Sequence, residues 1–398
     1  MLGGLYKKTA YLDEYRKTHK NLIVVDSGDL LNEHAQIKDS FMPSAKLKAE
    51  LVSKIVKGIG IDAINVGELE LSLGLDYIRE LEKKYDLPFV SANLVDDKNQ
   101  LLFKPYIIKK VGDLNVGIIG IMGNTSEVSK LMNDIVGSSI TVLDPIKTVE
   151  EKVAEIKDKA DYVIVMTHQH IGRNWIIARK IKGVDLVVGG HHKQKLKTPY
   201  EANGTYIVQT GEKGQYQGMF EVEIGPDGSK TVKNELVPMS DEMANDSKVK
   251  EMIDQFNLDV AKLYNQGGAA KDKADTAEPK SIACNDCHSE AYEGWTKTKH
   301  AKAFQTLIDK NQQFNPDCLV CHTTRFEEPG GFSVTTQEKE LRNVQCESCH
   351  GDSAAHLEDP GTVPQGDPGM ETCLKCHTEH RCPDFEKEYT QEWEKIKH

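Results

Sequence analysis

The sequence predicts two unlike parts, an α/β domain followed by a mostly α-helical or irregular domain rich in cysteine. Three observations support this division. Short apolar runs alternate with helical patterns as far as about residue 265, a segment without periodicity follows, and all nine cysteines lie in the last 118 residues. We therefore expect domains at residues 1–265 and 281–398, joined by a linker at 266–280.

The first domain contains six strand-like runs: Asn21–Asp26, Ala63–Val66, Pro88–Ala92, Asn115–Ile121, Tyr162–Thr167 and Asp185–Gly190. Helical patterns occupy Pro43–Lys57, Leu73–Tyr85 and Pro145–Lys159, and a last helix is expected near Ser247–Tyr264. The stretches KKVGDLNVG and EIGPDGSKT predict hairpins because they contain Gly-Asp and Asp-Gly turns. This alternation is typical of an α/β fold with a buried sheet.

The pattern C-x-x-C-H occurs four times in the second domain. It begins at Cys284, Cys318, Cys346 and Cys373, continues at Cys287, Cys321, Cys349 and Cys376, and ends at His288, His322, His350 and His377. Zinc sites or disulfides would account for the cysteines, but neither gives a reason for the histidine. In a c-type haem attachment two thiols add across the vinyl groups and the adjacent histidine reaches the iron. The motifs therefore predict four covalently bound haem c groups.

Four haems leave about 30 residues of chain for each, too few for an ordinary apolar core. We therefore expect short helices and loops without a sheet, and we expect the porphyrins themselves to form the core. Each proximal histidine also implies that a second axial ligand, usually His or Met, is needed on the other side of the iron.

The second axial ligands are predicted to be histidines, because this segment contains a single methionine, Met370. Besides the proximal residues it contains four further histidines, which match the demand in number: His300, His356, His380 and His398. His356 and His380 closely follow proximal histidines, so each is expected to reach a neighbouring haem rather than its own.

The chain is acidic, with a formal net charge of −12. Residues 281–398 carry 21 acidic and 12 basic side chains, a net charge of −9. This balance argues against a nucleic-acid partner and suits a basic redox partner protein. No apolar run approaches the roughly 18 residues that a membrane span requires. Haem c is attached outside the cytoplasm, so a periplasmic or extracellular location is expected. The opening residues lack an apolar signal region, so the chain is expected to begin downstream of its true start.

The cysteine-rich part resembles a known family over Ile282–His398. The stretches YEGWTKTKHAKAF, NPDCLVCHTTRFEEPGGF and LRNVQCESCHGDSAAH are similar to the tetrahaem cytochrome c family of the hydroxylamine oxidoreductase electron acceptor. The resemblance implies that His300 and His356 are distal ligands, and the closing WEKIKH places His398 similarly. His380 has no clear counterpart, and some relatives leave one haem five-coordinate.

Polar residues follow several strands of the first domain. Asp29, Asn93, His168 and His191 each come shortly after an apolar run. Side chains at the carboxyl ends of strands in an α/β sheet converge on one edge, where ligands bind. The pattern from GGLYKKTAYLDEYRK to about Leu236 resembles the metallophosphatase domain of 5′-nucleotidases and of the related sulfur-oxidation thiosulfohydrolase. The resemblance implies a metallophosphatase-like α/β sandwich.

Such domains hold two metals with the elements D-x-H, GD, GNHE, a single histidine after a strand, and GHxH. Here the D-x-H element is absent, and the sequence GELE at residues 67–70 replaces GNHE, with loss of the asparagine ligand. The sequence GHHK at residues 190–193 replaces GHxH and is expected to place the ammonium of Lys193 beside a metal. Asp29, His168 and His191 therefore remain as a vestigial metal site, beside which Glu68 and Glu70 are expected to bind at most one cation. Leu69 stands where the catalytic histidine belongs and cannot donate a proton.

The leading hypothesis is an exported multihaem cytochrome that relays single electrons, fused to an inactive metallophosphatase-like domain. One alternative is an oxidoreductase that acts on a small nitrogen or sulfur compound at a five-coordinate haem. Another alternative is a metal-dependent phosphoesterase or thioesterase that uses the haems for redox coupling. The expected partners are redox proteins, and the chain is also compatible with a homo-oligomer or filament.

Overall fold

The computed structural model describes residues 4–136, 139–225, 229–264, 279–364, 366, 368–378, 381–382 and 384–397. The chain divides into two compact units, Leu2–Glu251 and Met252–His398. This division falls inside a helix, Ser247–Tyr264, whose bounds agree with the predicted last helix. The predicted linker lies almost wholly outside the described residues, so the boundaries at 265 and 281 stay predictions.

The first unit contains thirteen described strands and the helices that connect them. The strands are β1 (Val25–Asp26), β2 (Ala63–Asn65), β3 (Phe89–Val90), β4 (Leu94–Asp96), β5 (Tyr106–Val111), β6 (Leu114–Met122), β7 (Ile140–Val142), β8 (Tyr162–Gln169), β9 (Leu186–His191), β10 (Tyr200–Ala202), β11 (Thr205–Val208), β12 (Tyr216–Ile224) and β13 (Lys230–Pro238). The helices are α1 (Leu5–Thr18), α2 (Met42–Ile59), α3 (Glu68–Leu71), α4 (Leu75–Tyr85), α5 (Ser126–Val136), α6 (Pro145–Ile156), α7 (Ile171–Lys180) and α8 (Ser247–Tyr264).

Two sheets form the centre of this unit. A three-stranded parallel sheet has the order β1-β2-β3, and a six-stranded sheet has the order β10-β11-β9-β8-β6-β5. Within the larger sheet β11, β9, β8 and β6 run parallel, while β10 and β5 pair antiparallel at its edges. Two antiparallel pairs, β4 with β7 and β12 with β13, complete the unit. The β5–β6 hairpin turns at Gly112 and Asp113, as its Gly-Asp turn predicts.

Buried side chains arrange these elements in four layers. Val56 of α2 and Ile78 of α4 pack with the outer face of the smaller sheet. Val149 of α6 and Ile177 of α7 pack with the outer face of the larger sheet. A third cluster, which includes Ala63 and Ile118, joins the two sheets to each other. The result is an α/β/β/α sandwich, so the predicted fold class of the first part is confirmed.

The second unit continues with short helices: α9 (Ile282–Asn285), α10 (Ser289–Thr296), α11 (Ala303–Ile308), α12 (Pro316–His322), α13 (Cys346–His350), α14 (Ala354–Glu358), α15 (Met370–Leu374) and α16 (Phe385–Glu394). Short 3₁₀ helices occupy His300–Lys302 and Lys339–Leu341. No named strand occurs among the described residues of this unit, in agreement with the sequence prediction.

One expectation about this unit is wrong. The chain does supply a small apolar core of its own, in which Phe304, Leu319, Phe332 and Val334 are completely buried. The rings of Phe304 and Phe332 lie 5.9 Å apart. Phe304 and Leu319 belong to α11 and α12, whereas Phe332 and Val334 lie in the loop after the second C-x-x-C-H motif. Across the parts of the chain that the structure describes, no helix is long and apolar enough to cross a membrane.

A candidate cation cleft and candidate haem sites

The loop after β1 holds Asp29 against the loop that begins α3. Gly28 and Asp29 both have positive φ, +101° and 59°. A Cβ atom on Gly67 would lie 2.2 Å from Asp29 Oδ1, and the backbone N–H of Leu69 donates to the same oxygen at 3.0 Å. The two loops therefore approach so closely that only glycine fits at position 67.

His168, near the end of β8, is the centre of the cleft and is 1% exposed. Its Nδ1 atom donates to the carbonyl oxygen of Ser27 at 2.8 Å, which leaves Nε2 facing the cleft. The Nε2 atom lies 3.1 Å from Asp29 Oδ2 and 3.1 Å from Glu68 Oε2. Burial would lower the pKa of His168, but these carboxylates raise it well above its ordinary value.

Glu68, the first residue of α3, joins both histidines of the cleft. Its Oε1 atom lies 2.8 Å from His191 Nδ1, at the end of β9, and its side chain is almost completely buried. The rings of His168 and His191 are 5.1 Å apart and nearly perpendicular. Burial would raise the pKa of Glu68, but the two imidazoles hold it below its ordinary value.

The structure thus brings together the three residues that the sequence predicts, Asp29, His168 and His191, and adds Glu68 to them as a full member. The sequence analysis allows Glu68 to bind at most one cation in place of the lost asparagine ligand, and the structure places its carboxylate beside both His168 and His191. The signal for its role is present in the chain, since a carboxylate oxygen can bind a metal as an amide oxygen does.

Three other expectations about the cleft are corrected. Glu70 does not face a cation, because its carboxylate accepts the backbone N–H groups of Gly67, Asp29, Leu30 and Leu31. Burial and the nearby Asp29 raise the pKa of Glu70 to about 7. The Lys193 side chain is 76% exposed and pairs with Glu212 at 3.4 Å, so its ammonium does not lie in the cleft. Asn93 is buried, and its side-chain amide bonds the backbone of Met122. Its Nδ2 donates to the Met122 carbonyl, and its Oδ1 accepts the Met122 N–H.

The donor set in the cleft fits one divalent cation. Ligand atoms of Glu68, His168 and His191 lie within 4.8 Å of one another. Glu68 Oε2 and His168 Nε2 are both buried, and neither makes a hydrogen bond of acceptable geometry. A set of two imidazoles and carboxylates suits Zn²⁺, Mn²⁺ or Fe²⁺. No second group of three such ligands occurs among the described residues.

The C-x-x-C-H motifs of the second unit lie on single helical turns. The backbone N–H of His288 donates to the carbonyl of Cys284 at 2.8 Å, and that of His377 donates to Cys373 at 2.9 Å. One turn therefore projects both thiols and the imidazole from one face of the chain. All nine cysteines lie in described segments, and no disulfide joins any two of them.

The motifs approach one another in two pairs. A hydrogen bond from Cys284, in the first motif, lowers the pKa of Cys346 in the third motif to about 6. Cys321, in the second motif, and Cys376, in the fourth, also form a hydrogen bond. This bond raises the pKa of Cys376. The first motif is therefore adjacent to the third, and the second motif is adjacent to the fourth.

Two predicted distal histidines face proximal histidines of other motifs. The rings of His356 and His288 are 6.2 Å apart between centroids, with 29° between their planes. The rings of His300 and His377 are 6.0 Å apart, with 67° between their planes. Each pair joins residues that are distant in sequence. His380 and His398 lie outside the described residues, so their predicted roles stay predictions.

Several of these histidines are oriented through Nδ1. The Nδ1 atoms of His322, His350 and His356 lie 2.8, 2.7 and 2.6 Å from the carbonyl oxygens of Ala303, Gly366 and Val363. A carbonyl can only accept, so Nδ1 carries the proton and Nε2 keeps its lone pair. Burial also lowers the pKa values of His300, His322 and His377, which favours the neutral imidazole. These imidazoles and the eight motif thiols fit haem c.

Comparisons with known proteins find a different family for each part of the chain. Residues 1–194 match the calcineurin-like phosphoesterase family, and residues 283–351 match the family of cytochrome c554 and c-prime. The 5′-nucleotidase of Bos taurus is 25% identical over 291 residues, which cover 67% of this chain and 49% of that protein. The 5′-nucleotidase of Vibrio vulnificus is 26% identical over 270 residues, covering 60% of this chain and 48% of the relative. The chain thus spans about half the length of these relatives.

Two solved structures share the fold of the first unit. The sulfate thiohydrolase SoxB of Thermus thermophilus has a TM-score of 0.56 at 20% identity and covers 65% of this chain and 47% of its own. A 5′-nucleotidase precursor, also from Thermus thermophilus, has a TM-score of 0.54 at 24% identity. The match covers 67% of this chain and 55% of the precursor. The first part of the chain therefore has the calcineurin-like phosphoesterase fold, and its cysteine-rich part resembles the cytochrome c554 and c-prime family.

Proposed function

We propose that the chain is an exported tetrahaem c-type cytochrome that relays single electrons between redox partner proteins. The observation that carries the proposal is the separation of the facing histidines. With metal–imidazole bonds of about 2 Å on each side, the ring centroids of an axial pair lie roughly 6 Å apart. The pairs His288–His356 and His300–His377 have centroid separations of 6.2 and 6.0 Å.

The residues divide into three roles. The thioether bonds are assigned to Cys284, Cys287, Cys318, Cys321, Cys346, Cys349, Cys373 and Cys376, and the proximal ligands are His288, His322, His350 and His377. His356 is the distal ligand of the first haem, and His300 is the distal ligand of the fourth. His380 and His398 remain as candidates for the second and third haems.

Haem c supplies one-electron carriers, and the chain positions them for relay. The contacts between the first and third motifs and between the second and fourth bring the attachment points of two haem pairs close together. The carbonyl acceptors at Nδ1 hold the imidazoles of His322, His350 and His356 in one orientation. Fixed ligands limit reorganisation when an electron arrives, which suits relay rather than substrate binding.

The test is to export the full chain in a host that attaches haem c and to measure its intact mass. We expect the mass of four haem groups and an absorption spectrum of mainly low-spin iron. A variant with both Cys373→Ser and Cys376→Ser should carry three haems and so acts as the matched control. A colourless protein that carries zinc would contradict the proposal.

We also propose that the cleft of the first unit binds one divalent cation and does not catalyse two-metal hydrolysis. Glu68 supports this proposal, since its carboxylate contacts both His168 and His191. Two-metal hydrolysis needs a ligand set for each of two ions, one of which activates water. Metal analysis of the purified protein should find one such ion per chain beyond the haem irons. The ion should disappear in a Glu68→Gln, His168→Ala double variant; its retention there would contradict the site.

A further inference from the structure

The third C-x-x-C-H motif contains a buried carboxylate whose contacts reach beyond its own haem. Glu347 lies between Cys346 and Cys349, and it is 5% exposed. Its Oε1 atom accepts the backbone N–H of Ser353 at 3.0 Å and also the Ser353 hydroxyl. A buried carboxylate needs several such donors, since burial without them is costly.

Ser353 is the residue that precedes α14, the helix that carries His356. The carbonyl of Ser353 accepts the N–H of Leu357 at 2.8 Å, so the serine belongs to the first turn of that helix. Glu347 therefore fixes the start of the helix three residues before His356. At the other end of the same segment, His356 bonds the carbonyl of Val363 at 2.6 Å.

The opposite side of Glu347 binds the segment that leads to the first motif. Lys280 Nζ donates to Glu347 Oε2 at 3.1 Å. The adjacent Gln345, 2% exposed, accepts both the N–H and the hydroxyl of Ser281 at 2.9 Å. Gln345 is anchored in turn, because its amide donates to the carbonyls of Glu340 and Arg342.

Lys280 and Ser281 come just before Cys284 and His288, while Ser353 comes just before His356. Two side chains of the third motif's own segment therefore hold both segments that supply the axial pair of the first haem. The hydrogen bonds of Glu347 with Ser353 and of Gln345 with Ser281 bury four polar side chains together. Such a fully bonded network restricts the relative position of the groups it joins.

We propose that Glu347 and Gln345 are positioning residues for the axial ligands of the first haem, although their segment attaches the third. This inference rests on the proposed function, because it takes His288 and His356 to be that axial pair. Glu347 holds the first turn of α14 and so would keep His356 in position to bind the iron of the first haem. Gln345 binds Ser281 and so positions the segment that carries His288, the proposed proximal ligand. The third haem has its own proximal residue, His350, whose acceptor is the Gly366 carbonyl.

The test compares Glu347→Ala, Ser353→Ala and His356→Ala in the fully haem-loaded chain, with the spin state of ferric iron and carbon monoxide binding to ferrous iron as readouts. His356→Ala should convert one haem in four to high spin. Glu347→Ala should keep all four haems and raise the fraction of carbon monoxide-binding haem on the order of tenfold, as the loss of one or two hydrogen bonds predicts. Ser353→Ala should give a smaller rise, because the backbone bond remains.

Two controls separate the possible results. Glu358→Ala removes an exposed carboxylate two residues from His356 and should leave both readouts unchanged. Glu347→Gln keeps an acceptor for Ser353 and should restore low spin. If His356→Ala changes nothing, the axial assignment itself fails. If His356→Ala acts but Glu347→Ala and Ser353→Ala both match the unmodified protein, the axial pair stands and the positioning role is refuted.

Discussion

The ring centroids of His300 and His377 lie 6.0 Å apart, although the two residues are 77 positions apart in the sequence. His377 is also stacked on Phe385, with ring centroids 4.3 Å apart and planes within 16°. The hydrogen bond between His377 Nδ1 and the Cys382 sulfur, 3.5 Å long, further restrains its ring. Neighbours close in sequence therefore hold the His377 ring, whereas its partner His300 is a remote residue; in the proposed arrangement these would be the proximal and distal sides of the fourth haem.

Replacing His300 with alanine should therefore convert one haem in four to high spin without loss of covalent attachment. The thioether bonds and His377 remain, so only the sixth ligand is lost. Electron paramagnetic resonance of the ferric protein measures the change, and His19→Ala, in the first unit, is the control. A spectrum identical to that of the unmodified protein would remove His300 from the set of ligands.

Replacing Glu68 with glutamine should destabilise the first unit by about 3–5 kcal/mol in the presence of a chelator, because a buried ion pair loses one partner. The charges of His168 and His191 then lack their shared carboxylate. Urea unfolding followed by the fluorescence of Trp175, the single tryptophan of that unit, measures the loss. Glu223→Gln, on the exposed part of β12, should have no effect. An unchanged midpoint for Glu68→Gln would show that the carboxylate does not stabilise the cleft.

Replacing Gly67 with alanine should cost about 1–3 kcal/mol, because the added methyl group overlaps the Asp29 carboxylate. Gly58, inside α2, has no heavy atom within 4 Å of the position that an added methyl group would take, and it serves as the matched comparison. Alanine there should stabilise the helix by about 0.5–1 kcal/mol. The same unfolding measurement checks both changes, and equal effects at the two glycines would disprove the close packing of the two loops.

The first unit should hydrolyse neither nucleotides nor an aryl phosphate in the presence of Mn²⁺, Zn²⁺ or Co²⁺. Leu69 cannot donate a proton to a leaving group, and the described residues offer ligands for one ion only. The assay should use the full haem-loaded chain, with Asp29→Ala and His168→Ala variants in parallel. Turnover that is lost in either variant would prove that the cleft is an active hydrolase.

Local features of the fold are predictable because they depend on neighbours in the chain. The bounds of α8 agree with the periodicity of Ser247–Tyr264, and β6 extends the predicted run Asn115–Ile121 by one residue at each end. The first predicted strand, Asn21–Asp26, shrinks to Val25–Asp26 because only these two residues pair with β2. Apolar character alone cannot tell where a partner strand begins. Helix α1 is not predicted, since its sequence has few apolar residues and no strong helical periodicity.

The sequence by itself predicted haem attachment, because each C-x-x-C-H motif places two thiols and an imidazole within five residues of chain. It also indicated the candidate distal histidines by their number. Only the tertiary structure decided which of them meets which motif, so that His356 pairs with His288 and His300 with His377. The same holds for the cleft, where Glu68 acquires its role from His168 and His191, which lie far along the chain from it. Contacts of this kind depend on how loops and layers pack. A local pattern in the sequence cannot specify which remote residues will meet.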